Sequence, residues 1–328
     1  MPPTWPAFLL VLLAALPARA EPIELRLATL APRGSAWAKI MEEGGTRLAA
    51  ETEGRVRFRI YFSGAQGDER DVVRKMKLGQ LDGAALTTVG LGMIAPEVLV
   101  LQLPYLFQSE KQVDHVRTVL GPELARRVED AGYVLVSWGD VGWVHTYFAV
   151  EVKSAADFTS VRFAQWVDDP ISREMFAVLG LNGVPMGIPE IRSALQTGTV
   201  QACAAPPLAA IALQWYPKLK YMSARPSSYA IGALVLRKAA FERMTPADRA
   251  TLMRGAKATS AKLIASVRRD NERAKQAMRK AGVVILPVPD EVQARLVAAG
   301  QQVWARLAGK LYPRELLDRV VRTVAETP

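Results

Sequence analysis

Strand and helix patterns alternate along residues 24–88, and this alternation restricts the fold more than any other feature of the sequence. Apolar or period-2 segments, typical of strands, occupy residues 24–30, 56–62 and 83–88. Between them lie two amphipathic segments, typical of helices, which begin at Ser35 and Asp68 and stop at Gly54 and Gly79. Strands that are separated by helices pair in parallel, so we predict an α/β fold with crossover helices.

The rest of the chain continues this pattern. Further strands are predicted at 133–138, 147–150, 161–163, 200–204, 230–236 and 283–286, and further helices at 110–131, 170–179, 189–197 and 290–325. Gly139 and Gly142 flank a predicted crossover into a second lobe, and strand 230–236 is expected to return to the first lobe. Thr245 followed by Pro246 is a strong helix start, so a long helix is expected from there to about Lys280.

The N-terminal residues read as a secretory leader. Residues 7–16 form an apolar core that is shorter than the roughly 20 residues of a membrane-spanning helix, and Ala18, Arg19 and Ala20 follow as a cleavage signal. We therefore predict a signal peptide at residues 1–20, cleavage after Ala20, and a soluble protein exported to the periplasm. The single cysteine, Cys203, excludes an intrachain disulfide.

Composition and motifs exclude several classes of protein. The net charge of +10 comes from scattered residues without interleaved aromatics, so we expect solvated basic faces and no nucleic-acid partner. Two histidines, His115 and His145, and one cysteine do not make a metal site, and no cofactor motif is present. His145 is expected to be structural, and the adjacent acids at 42–43 and 168–169 are expected to be solvated. We therefore expect no enzymatic activity.

Five segments, in order, resemble the substrate-binding proteins of TRAP (tripartite ATP-independent periplasmic) transporters, of the dicarboxylate-binding type. They are residues 27–32 (LATLAP), 64–73 with 78–83 (GAQGDERDVV and LGQLDG), 103–107 (LPYLF), 183–186 (GVPM), and 190–198 (EIRSALQTG). The resemblance implies a two-lobed periplasmic binding protein fold with hinge crossovers and a long helix that spans both lobes. It places lobe I at 21–142 plus 230–270 and lobe II at 143–229 plus 271–328, and it implies TRAP membrane subunits as partners.

The chain departs from the family pattern at the positions that usually hold the ligand. Aligned on Asp157, the arginine that pairs with a ligand carboxylate falls on Ala164, and a second arginine position falls on Val144. The asparagine that often touches ligand falls on Ala205. A carboxylate enclosed without a charged partner is costly, so these replacements disfavour a small organic acid and favour an apolar or amphipathic ligand.

The resemblance and these departures together give a set of residues that we expect to contact the ligand between the lobes. Four large residues near the replaced positions, three of them tryptophans, are expected to line an apolar cleft. The complete set is Thr29, Leu30, Trp37, Gln66, Thr88, Trp143, Val144, Ala164, Gln165, Trp166, Met186, Ala205 and Trp215.

Two alternatives stay open at this point. Arg162 lies two residues before Ala164, and side chains two apart in a strand share a face, so Arg162 could reach the cleft and bind a conventional organic acid. Alternatively, the protein could respond to its ligand by binding a soluble periplasmic partner through basic residues of the long helix, which are Arg254, Lys257, Arg268, Arg269 and Arg273.

Overall fold

The computed structural model describes residues 21–327. The predicted signal peptide, residues 1–20, lies outside the described residues. The strands are β1 (Ile23–Thr29), β2 (Val56–Tyr61), β3 (Gly83–Thr87), β4 (Tyr133–Phe148), β5 (Arg162–Trp166), β6 (Asn182–Met186), β7 (Ala202–Ala205), β8 (Tyr221–Ser223), β9 (Ser228–Arg237) and β10 (Val284–Leu286).

The helices fill the segments between these strands. They are α1 (Ala36–Glu51), α2 (Glu69–Lys77), α3 (Thr88–Gly92), α4 (Glu110–Asp130), α5 (Ala155–Ser160), α6 (Pro170–Leu179), α7 (Ile188–Thr197), α8 (Pro207–Ala212), α9 (Lys238–Glu242), α10 (Pro246–Lys280), α11 (Asp290–Leu307) and α12 (Arg314–Ala325). None of the helices within residues 21–327 combines the length and the apolar character needed to cross a membrane.

The strands form a mixed sheet in the order β2-β1-β3-β9-β4-β7-β5-β6, and β8 and β10 extend it beside β4. β1 pairs in parallel with β2 and β3, as the strand–helix–strand pattern predicts. β9 runs antiparallel between β3 and β4, so at β9 the chain returns to the half of the sheet that contains β1, β2 and β3. The predicted α/β fold is confirmed.

β4 is one strand of 16 residues, whereas the sequence predicted two strands with a crossover at Gly139 and Gly142. Its first part pairs with β9, from Tyr133 to Val144, and its last part pairs with β7, beginning at His145 opposite Ala205. Two register shifts, one of them between Asp140 and Gly142, bend the strand while most ladder hydrogen bonds are kept. The chain therefore passes between the two halves of the sheet within β4. The lobe boundaries given above stay a prediction.

The long helix α10 begins at Thr245, whose side chain accepts a hydrogen bond from the Asp248 N–H, and it ends at Lys280 as predicted. It packs against α1, β4 and α8. Asn271 on this helix connects two of those elements, because its amide donates to the Val141 carbonyl at 2.9 Å and accepts from the Leu208 N–H at 3.0 Å.

Gly142 is expected to be intolerant of a side chain. Its φ is +121°, and a Cβ there would overlap the Asn271 amide. We expect Gly142→Ala to lower the free energy of unfolding by roughly 2 kcal/mol, through backbone strain and the displaced amide. Gly139→Ala is the matched control, because a Cβ there meets only the end of the Leu263 side chain at 3.1 Å. Equal losses for the two variants in urea denaturation would contradict this explanation.

Candidate functional site

A cavity of about 1140 Å³ lies where the two halves of the sheet meet. We call it the cleft cavity. Thr29, Leu30 and Thr87 line it from the ends of β1 and β3, and Val144 and Ala164 line it from β4 and β5. Its volume exceeds the usual range of about 300–1000 Å³ for small-ligand pockets.

The three positions where the sequence lacks the family's polar groups all line the cleft cavity. Val144, Ala164 and Ala205 come from three strands that lie side by side in the sheet order β4-β7-β5. Their side chains contain no hydrogen-bonding atoms, so the cavity lining is hydrocarbon at these three positions, which we call the apolar wall. None of the three residues offers a guanidinium to bind a ligand carboxylate through two parallel hydrogen bonds.

Among the described residues, the basic ones that line the cleft cavity are Arg47, Lys153, Arg225 and Arg295. Each has an acidic neighbour: Glu51 at 3.9 Å, Glu151 at 3.0 Å, Asp290, and Glu291 at 2.7 Å, respectively. The four side chains keep between 43% and 76% of their surface exposed, which places these charges at the rim.

Arg162 is not among the residues that line the cleft cavity. Its guanidinium donates to the carbonyls of Thr199 at 2.9 Å and Gly198 at 2.7 Å, at the end of α7. The side chain is exposed, and its hydrogen bonds satisfy carbonyl groups where the helix ends and intrahelical partners are lacking. The suggestion that Arg162 reaches the cleft through the face it shares with Ala164 is therefore wrong in this structure.

Three of the predicted tryptophans line the cleft cavity. Trp37 donates its indole N–H to the Asp140 carbonyl at 3.1 Å, and Trp166 donates to the Asp68 carboxylate at 3.0 Å. Trp215 is buried to 3% exposure. Protein groups already accept hydrogen bonds from the indole N–H groups of Trp37 and Trp166. The surface that these two rings present to the cavity is therefore apolar.

Eight of the thirteen predicted ligand-contacting residues line the cleft cavity, namely Thr29, Leu30, Trp37, Val144, Ala164, Trp166, Ala205 and Trp215. The other five lie elsewhere. Gln66 accepts a hydrogen bond from Lys75 at 2.9 Å, and the hydroxyl of Thr88 donates to the Ile231 carbonyl at 2.8 Å. Thr88 begins helix α3, whereas its neighbour Thr87 ends β3 and lines the cavity.

The other three residues of the expected set are occupied by contacts within the protein. Trp143 immediately precedes Val144, and its ring packs edge-to-face on Tyr229, with ring centroids 4.8 Å apart. The Gln165 side chain packs over Gly183 of the neighbouring strand β6. Met186 is buried in the apolar cluster around Tyr147 and Cys203.

Three buried acids, Glu69, Asp140 and Asp169, line the cleft cavity, and none of them was among the predicted ligand contacts. The Glu69 carboxylate accepts from the Thr87 N–H and hydroxyl at 2.7 and 2.8 Å and from the Gly90 N–H at 2.7 Å, and burial raises its pKa to about 7. Asp169 was expected to be solvated, but it is 8% exposed. A ligand carboxylate near Glu69 or Asp169 would be repelled by the ionised form of that group.

Asp169 is buried because it caps helix α6. One carboxylate oxygen accepts from the N–H groups of Ile171 at 3.0 Å and Ser172 at 3.1 Å, and the other accepts from the Gln102 amide at 3.3 Å. Burial raises the pKa of Asp169 to about 6, against these hydrogen bonds. The signal in the sequence was Pro170, which favours the first position of a helix and makes Asp169 its cap.

Asp169→Asn is expected to change how stability depends on pH. The folded protein holds the Asp169 proton more tightly than the unfolded chain does, so stability falls as pH rises from about 4 to about 6. Asparagine caps a helix as well as aspartate and does not ionise. Relative to wild type, the variant should therefore gain on the order of 2 kcal/mol between pH 4 and pH 7. Urea denaturation across this range measures the gain, and a difference that stays constant with pH would contradict it.

Asp140, in the middle of β4, connects four elements around the cleft cavity. Its carboxylate is fully buried and accepts from Arg117 of α4 at 2.8 Å, Arg268 of α10 at 2.9 Å and the hydroxyl of Tyr229 of β9 at 2.5 Å. Its backbone carbonyl accepts from Trp37 of α1. Burial disfavours the charged Arg268 guanidinium, but its carboxylate partners, Asp114 first, raise its pKa overall.

The remaining reactive groups are structural. His145 is buried and hydrogen-bonded through Nδ1 to the Ser223 carbonyl at 2.9 Å, and burial lowers its pKa to about 4. Cys203 is buried, and burial raises its thiol pKa. Within residues 21–327, no group of three or more His, Cys, Asp or Glu side chains is placed to hold a metal ion.

The match with known proteins decides the family. Residues 27–310 match the family described as bacterial extracellular solute-binding protein, family 7. The chain belongs to this family. TRAP binding proteins of this family are extracellular or periplasmic substrate-binding components of transporters, not enzymes, and they bind small molecules and work with TRAP membrane subunits.

Individual relatives of this TRAP binding protein cover most of its length. A solute-binding protein of Verminephrobacter eiseniae is 25% identical over 274 residues, which are 82% of this chain and 80% of the relative. The 2,3-diketo-L-gulonate-binding periplasmic protein YiaO of Escherichia coli is 23% identical over 261 residues, 78% of each chain. The galactonate complex of the sugar acid binding protein DctPAm of Advenella mimigardefordensis has a TM-score of 0.87 at 18% identity, covering 94% of this chain and 99% of that one.

Proposed function

We propose that this TRAP binding protein captures an uncharged apolar or amphipathic small molecule in the cleft cavity and delivers it to TRAP membrane subunits from the periplasm. The proposal rests chiefly on Val144, Ala164 and Ala205, which all line the cleft cavity and have no hydrogen-bonding atoms in their side chains. Export through the predicted leader, with cleavage after Ala20, is part of the same proposal.

The energetics of the cleft cavity support an apolar ligand over an acid. Burying about 200 Å² of ligand hydrocarbon would contribute roughly 5 kcal/mol before the costs of association. A carboxylate in this cavity would lose its hydration without a guanidinium in return, and Glu69 and Asp169 line the same cavity. The interior therefore favours molecules without a net negative charge.

The relatives with known ligands point to a different ligand class, and sequence divergence leaves room for the difference. YiaO is named for a diketo-gulonate and DctPAm for sugar acids, but they share 23% and 18% of residues with this chain. At such identity the shared fold does not fix the ligand. An arginine in place of Ala164 and an asparagine in place of Ala205 would have supported a sugar acid as the ligand. The comparisons give no support to a soluble protein as the main partner.

A fluorescence titration tests the proposal. N-phenyl-1-naphthylamine is an uncharged apolar fluorophore whose emission rises in apolar surroundings. We expect it to bind the purified protein with a micromolar dissociation constant, and we expect D-galactonate and D-glucuronate to leave it bound at millimolar concentration. Tight binding of either sugar acid, with no binding of the fluorophore, would overturn the proposed function.

A further inference from the structure

The cleft cavity continues beyond the space between the two halves of the sheet. It extends along one face of the second half, between the sheet and helices α5 and α6, into a space that we call the aromatic chamber. The residues that define the aromatic chamber are Phe148, Phe158, Phe163, Phe176, Leu181 and Leu286, and they pack as one apolar cluster.

Strand pairing explains how the cleft reaches the aromatic chamber. In the pairing of β4 with β7, Thr146 lies opposite Ala204. Two residues further along each strand, Phe148 lies opposite Ala202, and Ala202 is also paired with Phe163 of β5. Paired residues point to the same face of a sheet, so the small side chains of Thr146 and Ala204 precede the phenylalanines on that face. Ala204 is exposed and lines the cavity. The small pair therefore leaves a passage open between cleft and chamber.

One wall of the aromatic chamber consists of phenylalanine rings that contact one another. The Phe163 ring centroid lies 5.4 Å from Phe158, 5.6 Å from Phe176 and 6.0 Å from Phe148. Phe158 and Phe176 are half-buried although they belong to an apolar cluster, because they face the cavity. Protein interiors normally close such space, since a gap forfeits the dispersion contacts of its walls. An apolar occupant restores those contacts.

We infer that the aromatic chamber receives the hydrocarbon tail of the ligand, while the rest of the molecule lies in the cleft beside Val144, which shares a sheet face with Thr146 and Phe148. The ligand class is therefore an elongated amphiphile with an alkyl or aryl tail and an uncharged head. This inference rests on the proposed function and makes it specific, because a compact apolar molecule would occupy the cleft alone.

The experiment uses straight-chain 1-alkanols from hexanol to dodecanol, which compete for bound N-phenyl-1-naphthylamine on the full-length mature protein. Each methylene that enters an apolar site raises affinity about fourfold. We expect wild-type affinity to rise at least a hundredfold along the series. In Ala204→Phe, which places a ring in the passage, the rise should fall below about fivefold. The matched control is Ala177→Phe on the exposed side of α6, which should keep the wild-type rise.

A second variant keeps the inference testable if Ala204→Phe does not fold, which circular dichroism would show. Phe176→Ala enlarges the aromatic chamber, so the chain length at which affinity stops rising should increase by about two carbons. An equal rise in wild type and folded Ala204→Phe, an unchanged limit in Phe176→Ala, or wild-type binding that does not depend on chain length would each overturn the chamber inference. If the wild type binds neither the fluorophore nor any alkanol, the proposed function fails instead.

Discussion

Replacing Asp140 with alanine is expected to lower the free energy of unfolding by about 3–5 kcal/mol. The variant loses the carboxylate that accepts hydrogen bonds from Arg117, Arg268 and Tyr229. The two arginines, whose side chains are 9% and 18% exposed respectively, then lose this buried partner. Removing one member of a buried ion pair has this cost because the remaining charge keeps its desolvation penalty. Urea denaturation followed by circular dichroism measures the loss.

Asp114 provides the matched control for Asp140. It contacts the same two arginines, at 2.8 Å from Arg117 and 2.7 Å from Arg268, but its side chain is 50% exposed. We expect Asp114→Ala to cost no more than about 1 kcal/mol, as is usual for exposed pairs. If the two variants lost the same stability, burial of Asp140 would not be what makes this network important.

Placing a charge on the apolar wall is expected to abolish binding. We expect Ala164→Glu to weaken binding of N-phenyl-1-naphthylamine at least a hundredfold, because the carboxylate either stays ionised in an apolar site or recruits water that the ligand must displace. Fluorescence titration measures the change, and circular dichroism shows whether the variant keeps its fold.

Arg162→Ala is the control for Ala164→Glu, two residues earlier in the same strand. Because the Arg162 guanidinium is bound to the carbonyls of Gly198 and Thr199, we expect its removal to change fluorophore affinity by less than about twofold. A large effect of Arg162→Ala together with a small effect of Ala164→Glu would mean that the arginine, and not the apolar wall, determines binding.

Much of the fold could be predicted because local sequence signals agree with the tertiary structure. The parallel pairing of β1 with its neighbours follows from strand–helix–strand alternation, and the start of α10 follows from Thr245 and Pro246. β4 was divided into two strands because Gly139 and Gly142 read as breaks. The structure instead accommodates Gly142 at a register shift inside the continuous strand, which depends on the pairing with β9 and is not visible locally.

Within the site, Val144, Ala164 and Ala205 line the cleft cavity, whereas Trp143 and Gln165 do not. Trp143 packs on Tyr229 of β9 and Gln165 packs over Gly183 of β6, and local sequence does not show which strands become neighbours. Asp140 and the aromatic chamber were missed because they arise from contacts between distant elements. Residues 117, 140, 229 and 268 meet only once the chain is folded.

Native mass spectrometry of the protein, purified from the periplasm of cells grown in complex medium, shows which ligand the cleft cavity holds. We expect a co-purifying molecule that is uncharged, carries an alkyl or aryl tail, and partitions into an organic phase after release. A sugar acid or a small dicarboxylate held at one molecule per chain would contradict this expectation.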